Sequence, residues 1–196
     1  MSAVLDALNA TPLAELERRA RVLAVLSLTP EAALGGARVV GWENGAGDNA
    51  AWVLPGDGTA LVLVLDHESE LNLYVENESE AQLRMYSGVP ETLRSLVLGL
   101  PDESAFLTLS SGETAAAVAS GVAFLHDGAW SLSPGLLALC SERGLDPLVD
   151  SGLNFCLSQY LLGQEFSVDV LSGRDPEARW GVDTAGVAAA FREAGA

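Results

Sequence analysis

The sequence predicts an α+β fold in which a mainly antiparallel sheet is flanked by helices, within a single domain over residues 1–196. Short apolar runs separated by Gly- and Asp-rich turns fill residues 37–66, a pattern typical of a strand meander. Capping signals and helical spacing of apolar residues occur on both sides of that region, at 3–27 and at 184–194. With 49% hydrophobic residues, the chain can bury a sizeable core.

The first 34 residues are predicted to form an N-terminal helical segment. Thr11 suits the N-cap position of a helix, and Pro12 suits the first helical position after it. A second, short helix is predicted from Pro30 to Leu34, and the Gly35-Gly36 pair is expected to end it.

A three-stranded antiparallel meander is predicted next, with strands at 37–42, 51–54 and 59–66. Its connections, at 44–49 and 55–58, are rich in the Asn, Gly, Asp and Pro residues that favour turns. The third strand contains five consecutive aliphatic residues, which indicates burial on both faces.

The elements predicted after residue 68 are short strands mixed with helices, which completes the α+β pattern. Strands are predicted at 106–109, in the second half of 114–125, at 129–132 after an Asp127-Gly128 turn, and at 165–171, and 71–75 also permits one. Helices are predicted at 78–85, 90–100, 134–142, 147–162 and 184–194, and a loop at 172–180.

The charge balance limits the classes of partner. The chain has 27 acidic residues and 10 basic ones, all of them Arg, for a net charge of -17 and a pI near 4.2. Nucleic acids and anionic membranes would be repelled, so neither is expected as a partner. A basic protein or a bound cation is favoured instead.

The sequence also predicts a cytoplasmic location. No basic segment with an apolar core begins it, and no apolar run approaches the ~18 residues of a membrane span. Cys140 and Cys156 lie in apolar helical patterns and are expected to be buried free thiols.

An acidic stretch is the most informative feature of the charge distribution. No Arg occurs from Val39 to Leu83, and the acidic residues are densest between 68 and 80, beside Tyr74 and Tyr86. Acidic groups interleaved with Tyr are typical of a surface that binds a basic protein. The residues expected to bind the partner are Glu68, Glu70, Tyr74, Glu76, Glu78 and Glu80. A plainly solvated acidic face would have the same composition.

A second candidate site follows the long third strand, where Asp66, His67 and Glu68 are consecutive. Two carboxylates beside an imidazole can bind a divalent cation or act as an acid/base unit. A metal site needs three or four ligands, so Asp48 and His126 are further candidates. The alternative interpretation is a strand-end turn whose polar side chains cap backbone N–H groups.

Other motifs are weaker. The His126-Asp127 pair precedes a turn, whereas metal phosphohydrolases place such a pair on a helix with further histidines. The Gly45-x-Gly47 loop lacks the following helix and the Lys of a phosphate-binding loop. No G-x-S-x-G motif is present, so no catalytic residue is assigned.

Three segments of the sequence resemble a family of uncharacterised actinobacterial proteins that are candidates for immunity proteins of bacterial toxin systems. These segments are Trp-Glu-Asn-Gly-Ala-Gly-Asp at 42–48, Asp-His-Glu-Ser-Glu at 66–70 and Gly-Val-Pro-Glu at 88–91. The likeness covers roughly residues 40–95 and implies that the three segments share one surface.

These observations predict a non-catalytic, acidic binding protein of bacterial type, either toxin-neutralising or inhibitory, that engages a basic protein partner without a cofactor. The alternative is a metal-dependent hydrolase or cation-binding protein that uses a divalent metal at Asp66, His67 and Glu68. A third possibility is an assembly subunit, since the apolar pattern of 134–162 is compatible with a homodimer as well as a monomer.

Overall fold

A six-stranded antiparallel sheet forms the centre of the structure, a computed structural model that describes residues 3–100, 106–174 and 183–195. The strands are β1 (Ala32–Leu34), β2 (Ala37–Glu43), β3 (Asn49–Leu54), β4 (Ala60–Leu65), β5 (Thr108–Ser111), β6 (Thr114–Ala117), β7 (Gly121–His126) and β8 (Ala129–Leu132). The sheet has the order β1-β2-β3-β4-β7-β8, and β5 pairs with β6 in a separate hairpin. The predicted meander is therefore confirmed, with one strand added before it and a hairpin after it.

Eight helices surround the sheet in the described part of the chain, which confirms the α+β class. They are α1 (Ala3–Ala10), α2 (Leu13–Leu26), α3 (Ser79–Met85), α4 (Glu91–Arg94), α5 (Pro134–Arg143), α6 (Leu153–Ser158), α7 (Val168–Arg174) and α8 (Thr184–Glu193). No helix in these three described ranges has the length and apolar character needed to cross a membrane.

Strand β4 lies in the interior of the sheet, between β3 and β7, and its side chains from Ala60 to Val64 are buried on both faces. On one face, Trp52 packs edge-on against Trp130 at 5.6 Å and against Tyr160 at 5.2 Å between ring centroids. Helix α6 approaches the same face so closely that a Cβ on Gly121 would lie 2.7 Å from Leu153 Cγ. The sequence thus places its large aromatic rings where helices meet the sheet.

Strand β8 forms one edge of the sheet, and the side chain of Asn9 covers its backbone. Asn9 accepts a hydrogen bond from the Trp130 N–H at 2.8 Å and donates one to the Trp130 carbonyl at 3.3 Å. One side chain therefore satisfies both backbone groups that Trp130 would otherwise present along the sheet edge.

Side chains cap helices α5 and α8, whereas the N-cap predicted for α2 is wrong. Ser133 Oγ caps α5 by accepting from the N–H groups of Gly135 and Leu136, and Asp183 Oδ1 caps α8. The predicted N-cap Thr11 instead donates its hydroxyl proton to the Ala7 carbonyl at 2.7 Å, in the last turn of α1. Helix α2 then begins after Pro12 without a side-chain cap.

The short helix predicted at Pro30–Leu34 is wrong, because this segment contains strand β1. Gly35 and Gly36 both have positive φ, of 56° and 89°, and form a two-residue hairpin turn that pairs Leu34 with Ala37. Such a turn requires two residues that tolerate positive φ, which Gly does at no steric cost.

Three further predictions fail where turns or strand pairing replace a regular helix or strand. No strand forms at 71–75, where backbone hydrogen bonds are those of successive turns. The helix predicted at 90–100 is reduced to α4, since the Gly99 N–H bonds to the carbonyl of Ala115 in β6. The helix predicted at 147–162 is reduced to α6, which begins after Gly152 at φ 76°.

The C-terminal third differs from prediction at one more element and matches it elsewhere. The strand predicted at 165–171 is replaced by helix α7, which also includes the first part of the predicted loop at 172–180. The rest of that loop, from 175, lies outside the described residues. Cys140 and Cys156 are free and buried, as predicted, and burial raises the pKa of their thiols to about 11 and about 12.

Candidate functional site

The loop between β2 and β3 is organised by two side chains, those of Asn44 and Asp48. Asn44 Oδ1 accepts from the Ala46 N–H at 2.8 Å and from the Asp48 N–H at 3.2 Å. Asn44 Nδ2 donates to Asp48 Oδ2 at 2.6 Å. Gly47 has φ 109°, and a Cβ there would lie 3.3 Å from His67 Cβ, so glycine lets the loop pack against the end of β4.

Asp48 holds His67 through two hydrogen bonds to one oxygen. Asp48 Oδ1 accepts from the His67 backbone N–H at 2.9 Å and lies 2.6 Å from the ring Nδ1. Asp48 is 3% exposed, whereas 45% of the His67 side chain is exposed. Since the ionised carboxylate can only accept, Nδ1 carries the proton and donates it, and Nε2 is the ring nitrogen left for another partner.

The contact between Asp48 and His67 lowers the pKa of Asp48 and raises the pKa of His67. Desolvation would raise the pKa of Asp48, but hydrogen bonds from the His67 backbone, the His67 ring and the Asn44 amide outweigh it, and the pKa is lowered. The hydrogen bond to Asp48, together with the nearby charges of Asp48, Glu68 and Asp66, raises the pKa of His67 despite some desolvation. The arrangement therefore favours an ionised Asp48 beside a protonated His67.

Asp66 lies next to this pair, because β4 ends at Leu65. Its Oδ1 accepts from the Glu68 N–H at 3.0 Å, and its own N–H donates to Ser120 Oγ at 3.0 Å. Asp48, Asp66 and His67 each offer one ligand atom, and these atoms lie within 4.8 Å of one another. The structure thus brings together two of the three residues predicted to bind a metal, Asp66 and His67, with Asp48, which the sequence indicated as a further candidate.

Glu68 and His126 occupy different positions relative to this cluster. The Glu68 side chain is 86% exposed, and its Oε1 lies 3.9 Å from His67 Nε2. His126 ends β7, which runs antiparallel to β4, so it lies toward the opposite end of β4 from His67. His126 is therefore not part of the group that surrounds His67.

The predicted partner-binding residues lie on one ordered loop and on the helix after it. We call residues 66–78 the acidic loop. Leu71 and Leu73 are buried, at 0% and 1% exposure, and anchor the loop to the core. Asn72 Nδ2 donates to the His67 carbonyl at 3.0 Å, and the Glu78 N–H donates to the Leu73 carbonyl at 2.9 Å. The apolar and polar residues that alternate at 71–75 therefore do not form a strand. They form a series of turns in which Leu71 and Leu73 point into the core.

The outward side chains of the acidic loop differ in their surroundings. Glu68, Glu70 and Glu76 are exposed, as is Glu80 in the first turn of α3, and Tyr74 is 45% exposed. Glu78 instead forms an ion pair with Arg143, with 2.5 Å between Oε2 and Nη2. Tyr86 does not belong to this surface, because it is fully buried and donates to the Ala117 carbonyl at 2.7 Å.

A second segment, residues 143–155, runs alongside the acidic loop. Besides the contact of Arg143 with Glu78, Ser69 Oγ donates to the Asp150 carbonyl at 2.5 Å. A Cβ on Gly152 would lie 2.3 Å from Asp66 Cβ. We call this the companion segment. No local sequence pattern signals its contact with the acidic loop, because the two segments are more than 60 residues apart in the chain.

Comparisons with protein-family models, curated proteins and solved structures found no match to the chain. The resemblance to immunity-like proteins therefore stays a prediction. The fold and the site define an acidic α+β protein with an Asp–His pair at one end of its sheet and an ordered acidic loop beside it.

Proposed function

We propose that this protein is a non-catalytic binding protein whose acidic loop, together with Glu80, engages a basic protein partner. The observation that carries the proposal is the exposure of Glu68, Glu70, Glu76 and Tyr74 on a loop that is anchored at both ends. An ordered loop loses little conformational entropy on binding, and Tyr contributes contact area at low entropic cost.

The distribution of ion pairs supports a basic partner. Within the described ranges, Glu78 is the one carboxylate of the acidic loop that has an Arg partner. The other Glu residues paired with Arg lie elsewhere, at Glu15, Glu17, Glu31, Glu91 and Glu142. The remaining carboxylates of the loop have no Arg partner in these ranges, and the nearest cationic group is the exposed His67 ring, 3.9 Å from Glu68. They add to a net charge of -17. Such a surface attracts basic proteins over a Debye length of about 8 Å at physiological salt and repels nucleic acids.

The concrete form of the proposal is toxin neutralisation or inhibition in the bacterial cytoplasm. Three features support it: the acidic surface, the likeness of 42–48, 66–70 and 88–91 to immunity-like proteins, and the two buried thiols, which are typical of a reducing compartment. Occlusion of a basic active site or substrate-binding surface on the partner requires no chemistry from the inhibitor itself.

The test compares two variants of equal charge. The loop variant carries Glu68→Gln, Glu70→Gln, Glu76→Gln and Glu80→Gln, and leaves Glu78 in its ion pair with Arg143. The control variant carries Asp6→Asn, Glu113→Gln, Glu165→Gln and Glu193→Gln, which are also exposed.

Wild type and control are expected to capture the same basic proteins at low salt, and the loop variant to lose them, with the unfolding curves of all three unchanged. Equal capture by the loop variant would sink the proposal.

A second function is favoured by one specific observation, the grouping of Asp48, Asp66 and His67. Both oxygens of Asp48 already accept hydrogen bonds, so its role would be to orient the imidazole, as carboxylates behind metal-ligating histidines do. His67 Nε2, Asp66 and Glu68 would then bind a divalent cation, as a cation-binding site or as the centre of a metal-dependent hydrolase.

Elemental analysis of the purified protein tests this alternative. The metal proposal expects a stoichiometric divalent metal in the wild type that is lost in His67→Ala and Asp66→Asn, whereas Glu113→Gln retains it. Wild-type protein that takes up no metal from buffered Zn²⁺, Mn²⁺ or Ca²⁺ would exclude this reading and leave the acidic loop as the functional surface.

A further inference from the structure

The exposed hydrophobic side chains of the protein are unevenly distributed. Seven large ones are exposed in the described residues: Leu28, Tyr74, Val75, Leu107, Leu137, Val149 and Phe155. Four of these seven lie on the two segments: Tyr74 and Val75 on the acidic loop, and Val149 and Phe155 on the companion segment. Single exposed apolar residues are ordinary, but a concentration on two adjoining segments is typical of an interaction site.

Local structure does not require an apolar residue at either position of the companion segment. Val149 lies in a turn where Asp146 Oδ1 accepts from the Leu148 and Val149 N–H groups. Leu148 packs against the core, whereas Val149 is 61% exposed. A polar residue would serve equally well in that turn.

Phe155, on helix α6, is likewise an apolar residue with an exposed side chain. Its neighbours Leu153 and Cys156 face the core and are fully buried, whereas Phe155 is 47% exposed on the outer side of the helix. Nearly half of its surface therefore stays in water in the folded protein and can be buried in a complex, where aromatic side chains contribute large contact areas.

The companion segment joins the acidic loop through contacts close to both residues. Asp150, which follows Val149, accepts from Ser69 at 2.5 Å, and Gly152 packs against Asp66. The segment that carries Val149 and Phe155 is thus in contact with the turn that carries the exposed Glu68 and Glu70. A surface with apolar anchors beside carboxylates matches a partner that carries apolar and basic side chains together.

We propose that Val149 and Phe155 are the apolar anchors of this surface, so that its partner is a basic protein segment whose Arg or Lys residues alternate with large apolar side chains. This inference rests on the proposed function and specifies the chemistry of the partner. A second copy of the chain fits poorly, because two surfaces from molecules of net charge -17 would repel each other. Anionic lipid is disfavoured for the same reason.

The test uses two synthetic peptides of equal positive charge. In one, Arg alternates with Leu and Phe; in the other, Arg alternates with Ser and Gly. The anchor variant is Val149→Ser with Phe155→Ser, and the matched control is Leu28→Ser, which removes a side chain that is 88% exposed elsewhere on the protein. Since all three side chains are exposed, unfolding curves should remain close to that of the wild type.

At about 150 mM salt, the wild type is expected to bind the apolar peptide at least about tenfold more tightly than the polar one, as hot-spot side chains require. The anchor variant should lose this preference and retain its affinity for the polar peptide, while Leu28→Ser keeps the preference. If the wild type binds both peptides equally and the loop variant binds neither, Val149 and Phe155 are not anchors, and the proposed function of the acidic loop still holds.

Two other outcomes count against the inference in distinguishable ways. If the wild type binds neither peptide even at low salt, the proposed function fails with it. If light scattering shows a homodimer that the anchor variant dissociates, the face is occupied by a second copy of the chain and not by a basic partner.

Discussion

Asp48 and His67 are joined twice, because a single carboxylate oxygen of Asp48 accepts both from the backbone N–H of His67 at 2.9 Å and from its ring at 2.6 Å. The backbone bond fixes the turn that begins the acidic loop, and the ring bond fixes the direction of the imidazole. The other oxygen of the same buried carboxylate accepts a hydrogen bond from the Asn44 amide. One residue therefore connects two segments that lie far apart in the chain, 42–48 and 66–70, on which the predicted resemblance to immunity-like proteins rests.

Asp48→Asn is expected to destabilise the protein. The substitution keeps the size of the side chain but removes the charge that strengthens the hydrogen bonds to His67. It also replaces one carboxylate oxygen with an NH₂ group, which would face the N–H of Asn44 or His67 and could not accept from it. Loss of hydrogen bonds to a buried charged group typically costs about 2–3 kcal/mol. Urea unfolding measures the change, with the exposed Glu113→Gln as control; a loss under about 0.5 kcal/mol, the range of neutral surface changes, would contradict the structural role of Asp48.

The stability of the protein should depend on pH through the same pair. The pKa of folded His67 lies above its usual 6.5, so its contribution is fully present below pH 6.5 and is lost as the pH rises through the raised value. The pKa of folded Asp48 lies below its usual 3.8, so its contribution is present above pH 3.8 and is lost as the pH falls through the lowered value. The Asp48–His67 pair therefore contributes most to the stability of the folded protein between pH 3.8 and pH 6.5.

His67→Gln isolates the histidine contribution, because Gln does not titrate. The difference in unfolding free energy between wild type and His67→Gln should be constant between about pH 5 and 6 and should decrease at higher pH. His126→Gln provides the matched control, since His126 lies toward the other end of β4. A difference that rises with pH would mean that the bond to Asp48 does not favour the protonated ring.

Binding of the partner should weaken with ionic strength, since exposed carboxylates act through solvent. Raising the salt from about 50 mM to about 300 mM shortens the Debye length by more than half and should lower the affinity of the wild type. The loop variant should show a shallower dependence, and the control variant should follow the wild type. Isothermal titration across the salt series gives the slopes; parallel slopes for loop variant and wild type would assign the attraction to another part of the surface.

Much of the fold can be predicted from the sequence, because the strands of the meander are mainly apolar and each turn between them contains Gly. Strand β1 is missed because three residues carry too little pattern, although Gly35-Gly36 is itself a hairpin signal. Helix α7 is missed because Glu165–Leu171 also alternates as a strand does, and tertiary packing decides between the two.

The site is less predictable than the fold. The proximity of Asp66 and His67 is evident from their adjacency, but the role of Asp48 depends on the pairing of Asn49 with Leu65, which sets the β2–β3 loop beside the end of β4. The contact between the acidic loop and the companion segment depends on the packing of α6 against the sheet. Neither relationship leaves a local sequence pattern.

The amide of Asn9 supplies a further test, because its two hydrogen bonds to Trp130 have different chemistry. Asn9→Asp keeps an acceptor for the Trp130 N–H but replaces the donor to the Trp130 carbonyl with a carboxylate oxygen. We expect a loss of about 1–3 kcal/mol, the cost of leaving a polar group unsatisfied, and increased self-association through the β8 edge. Unfolding and light scattering measure the two effects, and the exposed Asn77→Asp serves as control. Unchanged stability would show that water replaces the Asn9 donor.

The exposed side chain of Leu28 is held in an unfavourable backbone conformation, with φ 56° at the C-terminal end of α2. The Thr29 N–H bonds to the Ala24 carbonyl at 2.9 Å, which is the closing bond of a Schellman motif, and that motif normally has Gly at this position. Leu28→Gly should therefore stabilise the protein by about 1 kcal/mol, since left-handed backbone costs about that much for residues with a Cβ. Leu28→Ala is the control: it removes the exposed side chain but keeps the Cβ, and should leave stability nearly unchanged. A gain of equal size in both variants would assign the cost to solvent exposure of the Leu side chain and not to its backbone conformation.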